Sequence, residues 1–186
     1  MYNPNLWLPR FRNDFIPAIR RVEEVFLQRL QPTFSLIEAE SEKLEKDLWD
    51  EAMDQPRYED YPDEGQIAEA AKDAAVSHYL GLKGMEQGLL NCCALFLYHL
   101  YEQHLVLFLR QELLDWRVRD NKKRYTHEEA RNRLKIANAD ITTFAVWPKL
   151  EELRHLANAI KHGEGKSSDE LLQIAPHLFE MAGLRT

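Results

Sequence analysis

Residues 147 to 167 read WPKLEELRHLANAIKHGEGKS, and the helix that they predict is the best-defined element of the chain. Pro148 suits the first turn of a helix because its fixed φ is already helical, and Gly163 suits the residue that closes one. We therefore predict a helix of about four turns between these two residues. The rest of the sequence is interpreted as a helical scaffold around it.

The predicted helix has an apolar face and a polar face. At about 100° per residue, one arc, which we expect to be buried, holds Leu150, Leu153, Leu156, Ala157 and Ile160. The opposite flank carries a polar stripe of Glu151, His155, Asn158 and His162, with Arg154 beside it. A histidine can accept or donate a proton near pH 7, and an arginine cation can hold a phosphate. This combination suits phosphodiester chemistry.

The remaining patterns are helical too. Residues 13 to 53 keep helical spacing, with Pro17 in the first turn and Pro32 either kinking the helix or dividing it. The segment 55 to 65, with two prolines, is the clearest loop, and helical spacing returns over residues 66 to 116. Capping boxes at residues 126 to 129 and 167 to 170 predict helices to about 138 and from 170 to 175, before a last turn at 176 to 181. We predict an all-α bundle of about four to six helices.

The N-terminus is expected to be an arm. Pro4 and Pro9 bracket Trp7 without leaving room for a helix, so we assign residues 1 to 12 to an arm that packs on its own domain or on a second copy. The chain has 186 residues and is 45% hydrophobic. That length supports one sizeable core, so we predict a single domain over residues 13 to 186.

The long helical region contains the most apolar part of the sequence. Three glycines, Gly81, Gly84 and Gly88, predict a bend or the close approach of another helix, because glycine is costly in a helix interior. Residues 89 to 109 are apolar nearly all round, but Asn91, His99, Glu102, Gln103 and His104 interrupt the run. We therefore expect a central buried helix rather than a membrane span, with His99, Glu102 and Gln103 forming a satisfied hydrogen-bonded cluster.

Charge is unevenly distributed. The net charge of −7 argues against a surface that binds nucleic acid everywhere. Residues 38 to 64 hold twelve acidic against three basic residues, whereas residues 117 to 135 hold eight basic against three acidic ones. The basic segment could meet a phosphate backbone or an acidic partner.

The cysteines and the N-terminal residues indicate the cellular compartment. The two cysteines, Cys92 and Cys93, are neighbours in an apolar run, so we expect buried reduced thiols. Residues 1 to 10 lack the pattern of a secretory signal, and we expect a cytoplasmic protein.

The sequence contains partial matches to cofactor-binding and metal-binding motifs, but their residues do not have the required spacing. The first glycine of a P-loop ending in Gly165-Lys166-Ser167 would fall at Ile160, and the segment follows a helix rather than a strand. Glu152 and His155 form one E-x-x-H pair without the second that di-iron bundles need. His155 and His162 lie about 10 Å apart by helical rise, too far to share one ion. We predict no cofactor and no metal.

A late helix with Asn158-Ala159-Ile160-Lys161-His162-Gly163 in an all-helical domain resembles the HEPN superfamily. These are helical bundles of prokaryotic toxin, antiphage and RNA-processing proteins. Their signature is an Arg, four to six residues, then a His, and Asn158 and His162 match its R-N-x-x-x-H form. The resemblance covers roughly residues 66 to 180. Ala157 stands where the Arg is expected, and the nearest one, Arg154, has seven residues between it and His162.

The resemblance implies a metal-independent endoribonuclease that pairs two copies of the motif across a homodimer. His162 would then be the acid or base at the RNA 2′-hydroxyl and scissile phosphate, Arg154 the phosphate-binding cation, and Asn158 the group that orients either. Lys161 and Lys166 would contact the RNA backbone, with His155 and Glu151 in support. The alternative is a non-catalytic HEPN-like module that binds a partner protein, of antitoxin or nucleotidyltransferase type, or RNA. Both functions stay open.

Overall fold

The computed structural model describes residues 4–56, 63–114, 125–163 and 165–180, apart from the side chains of Pro4 and Glu180. The helices are α1 (Pro4–Arg10), α2 (Ile16–Val25), α3 (Ile37–Met53), α4 (Glu64–Phe108), α5 (His127–Ile136), α6 (Trp147–His162), α7 (Lys166–Ile174) and α8 (His177–Glu180). Six of them have nine or more residues, and no strand occurs in the described part of the chain. The all-α prediction, with four to six substantial helices, is confirmed.

Chain contacts divide the protein into two compact units. The first comprises Met1–Glu23 with Asn91–Thr186, and the second comprises Glu24–Leu90. The prediction of a single domain over residues 13 to 186 stays a prediction.

The N-terminal segment packs within the first unit through Trp7, and the prediction that it has no helix is wrong. Residues Pro4–Arg10 form α1, and the π-helical turn Phe11–Phe15 follows. Pro4 sits at the helix start, where its missing N–H costs nothing. Trp7 is fully buried, packs edge-on against Phe108 at 5.0 Å between ring centroids, and donates from Nε1 to Glu112 Oε1 at 2.6 Å. This packing outweighs the helix-breaking tendency of Pro9.

The core of the first unit lies where α4 ends. The π-helical turn Leu109–Leu113 continues α4 and packs against α5. Leu109, Leu114 and Ala130 are the buried members of this cluster. Thr126 caps α5 through the predicted capping box, since its side chain accepts from the Glu129 N–H and the Glu129 carboxylate accepts from the Thr126 N–H.

The second unit contains α3 and the first part of α4. Pro32 divides the predicted helix rather than kinking it, because the 3₁₀ turn Gln31–Phe34 separates α2 from α3 after a π-helical turn at Phe26–Leu30. On α4 the buried side chains are one turn apart, at Ile67, Ala71 and Ala75. Of the predicted loop, residues 57 to 62 lie outside the described residues.

The apolar second half of α4 is not the central buried helix that its composition predicts. Phe96 is 53% exposed and Leu90 is 44% exposed, and only Tyr98 and Leu109 are buried between residues 89 and 109. Cys92 is exposed and Cys93 half-buried, both as free thiols, so burial of both was also wrong. The helix has 45 residues. By length and composition alone, Glu64–Leu113 could cross a membrane.

The glycines of α4 do not mark a packing contact in this chain. The helix runs unbroken through Gly81, Gly84 and Gly88, and a Cβ added at any of them would meet no atom within 4 Å. The predicted close approach of another helix is therefore wrong for the described residues. All three positions are exposed.

Candidate functional site

The site is built on α6, whose bounds are those predicted. The helix runs from Trp147 to His162 with Pro148 in its first turn, and Gly163 ends it at a φ of 68°. That left-handed backbone is open to glycine and strained for other residues. After Gly165, at φ 152°, α7 begins at Lys166. The predicted capping box at residues 167 to 170 is therefore wrong, because those residues already lie inside α7.

Burial on α6 follows the polar stripe as much as the apolar arc. Ala157 is fully buried, as predicted, but the other buried residue is His155, at 7% exposure. The arc members Leu150, Leu153, Leu156 and Ile160 are only half-buried. A histidine can be buried at low cost when its ring nitrogens face partners. The stripe is thus partly interior, contrary to the prediction that burial belongs to the opposite face.

Arg154 is held by its neighbours on α6. Its Nη2 donates to Glu151 Oε2 at 2.8 Å, and its Nε lies 3.2 Å from Glu151 Oε1. The same Nη2 lies 2.7 Å from His155 Nε2. A guanidinium has no acceptor, so His155 Nε2 accepts this bond and the ring proton resides on Nδ1.

His155 connects α6 to α7. Its Nδ1 lies 3.0 Å from Glu170 Oε2, although this contact lacks hydrogen-bond geometry. Glu170 in turn lies 3.6 Å from Lys166 Nζ. The result is a chain of polar contacts from Glu151 through Arg154 and His155 to Glu170, which we call the α6–α7 network.

The network sets the charge of its members. Burial raises the pKa of Glu151, but the hydrogen bond from Arg154 and the charge of Arg154 outweigh burial and hold that pKa below its usual value. The hydrogen bond to Glu151 raises the pKa of Arg154. Arg154 is therefore a cation whose carboxylate counterion lies in the same helix.

A second cluster lies beside the network and was not singled out from the sequence. His127, at 8% exposure, stacks on Trp147 with 5.9 Å between ring centroids, and its Nε2 lies 3.3 Å from the Tyr101 hydroxyl. Burial lowers the pKa of His127 and raises the pKa values of Tyr98 and Tyr101 to about 12. The helical spacing of Tyr98 and Tyr101 was the available signal, but nothing in the sequence paired them with a residue of α5.

The other predicted site residues lie toward the end of α6. His162 is exposed at its last residue, and Asn158 is half-buried one turn earlier; within the described ranges neither side chain makes a hydrogen bond or ion pair. His162 lies about 12 Å along the axis from Arg154, at 1.5 Å rise per residue. The structure therefore brings Arg154 together with Glu151 and His155, and not with His162.

Two exposed lysines flank this end of α6. Lys161 Nζ lies 5.9 Å from the centre of the Tyr98 ring, a cation–π distance, while Lys166 pairs with Glu170. On α4, Gln103 Nε2 lies 2.8 Å from His99 Nε2 at the surface. Of the predicted buried cluster, His99 and Gln103 are thus in contact but exposed, and among the described residues Glu102 makes no hydrogen bond to either. Among the described residues no group of three or more His, Cys, Asp or Glu side chains could hold a metal ion.

The chain matches no known protein family, no curated protein and no solved structure.

Proposed function

We propose that the chain is a HEPN-like helical module of an RNA-directed toxin or antiphage defence system that binds a partner protein and does not cut RNA. The proposal rests on the motif resemblance at Asn158 and His162 and on the hydrogen bonds that occupy the Arg154 guanidinium. A cation meant to hold a scissile phosphate must be free to bind it. The guanidinium of Arg154 is instead bonded to Glu151 and His155.

Separation of the motif residues supports the same function. His162 and Arg154 lie about 12 Å apart along α6, whereas a general acid or base and a phosphate-binding cation must reach one phosphodiester group together. The net charge of −7 further favours a protein partner over a polyanion. We expect the exposed end of α6, around Asn158 and His162, to contact that partner.

The second candidate function is a metal-independent endoribonuclease. It is favoured by one observation: His162 is exposed, engaged by no described side chain, and flanked by the exposed cations Lys161 and Lys166. A free imidazole between two cations is a reasonable setting for acid–base work on a phosphodiester. In this case Arg154 would have to leave Glu151 when RNA binds.

The experiment that separates the two functions is an RNA cleavage assay in EDTA. Purified protein is incubated with total RNA and short labelled RNAs, beside His162→Ala, Arg154→Ala and the matched variant His177→Ala, which removes another exposed histidine. We expect no cleavage by any of them. Cleavage by the unmodified chain that His162→Ala abolishes and His177→Ala preserves would overturn the partner-binding proposal and establish the nuclease.

Assembly and compartment belong to the same proposal. We propose a homodimer, because exposed apolar side chains such as Phe96 and Leu90 on α4 are the kind that a second copy covers. We propose the cytoplasm, because two adjacent free thiols suit a reducing compartment. No cofactor enters this function.

A further inference from the structure

An open apolar groove lies between α3 and α4 in the second unit. It has a volume of about 570 Å³. Its apolar lining consists of Leu48, Ala52, Ile67, Ala70, Ala71 and Ala74, with Gln66 at one edge. Along α4 the lining runs from residue 66 to residue 74, which spans about 12 Å at 1.5 Å per residue.

The lining is shaped for close approach. Four of the six apolar side chains are alanines, so an incoming backbone can come near both helices. Ile67 and Ala71 form the buried floor, whereas Ala70 is exposed on the wall. The chain leaves this apolar surface in contact with water, which is unfavourable by about 25 cal/mol per Å² relative to a covered surface.

The rim of the groove is acidic. A second groove lies on the other side of the α3–α4 pair, and Trp49, the residue after Leu48, lines it. The residue before Leu48, Asp47, therefore points to the rim of the first groove. The same reasoning places Glu51, before Ala52, on the rim. Both residues are exposed. Asp47 and Glu51 belong to the acidic part of the chain, where residues 38 to 64 hold twelve acidic against three basic residues.

This charge decides which occupant fits. A second copy of the same groove would place acidic rim against acidic rim, and a nucleic acid would place phosphates there, so both are repelled. A segment carrying Lys or Arg beside its apolar side chains would pair with the rim while it covers the lining. A helix also satisfies its own backbone hydrogen bonds in an apolar groove, which an extended segment does not.

We propose that the groove between α3 and α4 binds a cationic amphipathic helix of a partner protein, with small apolar side chains against the alanines and Lys or Arg facing Asp47 and Glu51. The groove lies in the second unit and the α6 site in the first. Each of the two proposals can therefore be tested, and can fail, without the other.

The test uses the full chain and a labelled synthetic peptide of about 18 residues, with Leu and Ala on one helical face and Lys on the other. Two further peptides are a scrambled sequence of the same composition and a version with Glu in place of every Lys. Binding is followed by fluorescence anisotropy at low salt and at about 0.5 M NaCl. Ala70→Gln blocks the groove wall, and Ala68→Gln is the matched control, because Ala68 is equally exposed on α4 but lines the opposite groove.

We expect the basic amphipathic peptide to bind, salt to weaken it, and Ala70→Gln to lower its affinity about tenfold, or 1.4 kcal/mol, while Ala68→Gln changes little. Circular dichroism should show both variants folded. Failure of the basic peptide to bind overturns the proposal, as does equal binding of the scrambled or acidic peptide. Equal losses of affinity in both variants would mean that the peptide binds outside this groove, which would also overturn the proposal. RNA cleavage is not involved in any of these outcomes.

Discussion

Arg154 and Glu151 lie one turn apart on α6, and the guanidinium donates to both oxygens of the carboxylate, the shortest bond being 2.8 Å from Nη2 to Oε2. The same guanidinium reaches His155 Nε2 at 2.7 Å, so one cation serves a carboxylate and an imidazole. In the first half of α6, Glu151 and His155 of the polar stripe are therefore connected through Arg154. In the second half, Asn158 and His162 are separate side chains.

Replacing Glu151 by Gln should loosen this network. The pair is partly exposed, so we expect the free energy of unfolding to fall by roughly 1 kcal/mol in urea titrations. The Glu151 charge raises the pKa of His127 against the effect of burial, so that pKa should fall further in the variant, as NMR titration would measure. Glu128→Gln, at an exposed carboxylate that pairs with Arg131 on α5, is the control; an equal loss of stability there would contradict the network.

Stability should decrease as the solution is acidified. Burial lowers the pKa of His127, and burial and the Arg10 charge lower the pKa of His104, so the unfolded chain takes up protons more readily than the folded one. The stability that these neutral rings provide is present above about pH 6.5 and is lost as the pH falls below it. Melting temperatures between pH 8 and pH 5 should show this trend, and His127→Gln should flatten it. A trend unchanged in both His127→Gln and His104→Gln would assign it to other groups.

Trp7→Ala should be among the most damaging single substitutions in the described chain. It would empty a fully buried site and leave Glu112 without this donor, so we expect a loss of about 3 to 5 kcal/mol in the free energy of unfolding. Leu8→Ala, at a neighbouring side chain that is half exposed, should cost much less. Comparable losses in thermal and urea unfolding would mean that α1 does not dock as described.

Alanine at two glycines should act in opposite directions. Gly84→Ala should stabilise the protein by about 1 kcal/mol, because alanine favours the helix and a Cβ there meets no atom within 4 Å. Gly163→Ala should destabilise it by a similar amount, roughly 1 kcal/mol, because its φ is 68°. Calorimetry on both variants measures this. If Gly84→Ala instead weakens the protein, another molecule approaches the helix at that residue.

The proposed homodimer predicts a mass of twice 21.9 kDa by light scattering. Phe96→Glu should shift that mass toward the monomer, because the side chain is 53% exposed on the apolar part of α4 and a charge there opposes association. Phe144→Glu, on a side chain of similar exposure outside the helices, should leave the mass unchanged. A monomeric wild-type chain would contradict the dimer, and recovery of the protein in the membrane fraction would contradict the cytoplasmic assignment.

Local signals in the sequence were enough to place several elements. Pro148 and Gly163 located α6, and Thr126 with Glu129 located the start of α5, because caps and turns depend on a few neighbouring residues. Asp140 likewise caps the turn Ile141–Thr143, where its side chain accepts from the Thr142 N–H. These features need no knowledge of distant contacts.

Burial was less predictable because it depends on which elements meet. Composition predicted that the second half of α4 is buried, yet Phe96 is exposed. Pro4 and Pro9 predicted an arm without a helix around Trp7, yet the segment is helical. The pairing of His127 with Tyr101 joins residues 26 positions apart, and neither spacing nor charge indicates it. Arg154 was correctly placed beside the polar stripe, but periodicity could not show that it would bond to Glu151 rather than reach toward His162.

The hydrogen bond between Trp7 and Glu112 joins residues 105 positions apart. During synthesis the tryptophan must therefore wait until Phe108 and Glu112 have emerged from the ribosome, which takes roughly 5 to 20 s at 5 to 20 residues per second. Throughout that interval α1 has no surface to dock on, and its indole and the neighbouring Phe11 ring are open to chaperones. Trp7 can thus reach its native contacts only after residue 112 has been made.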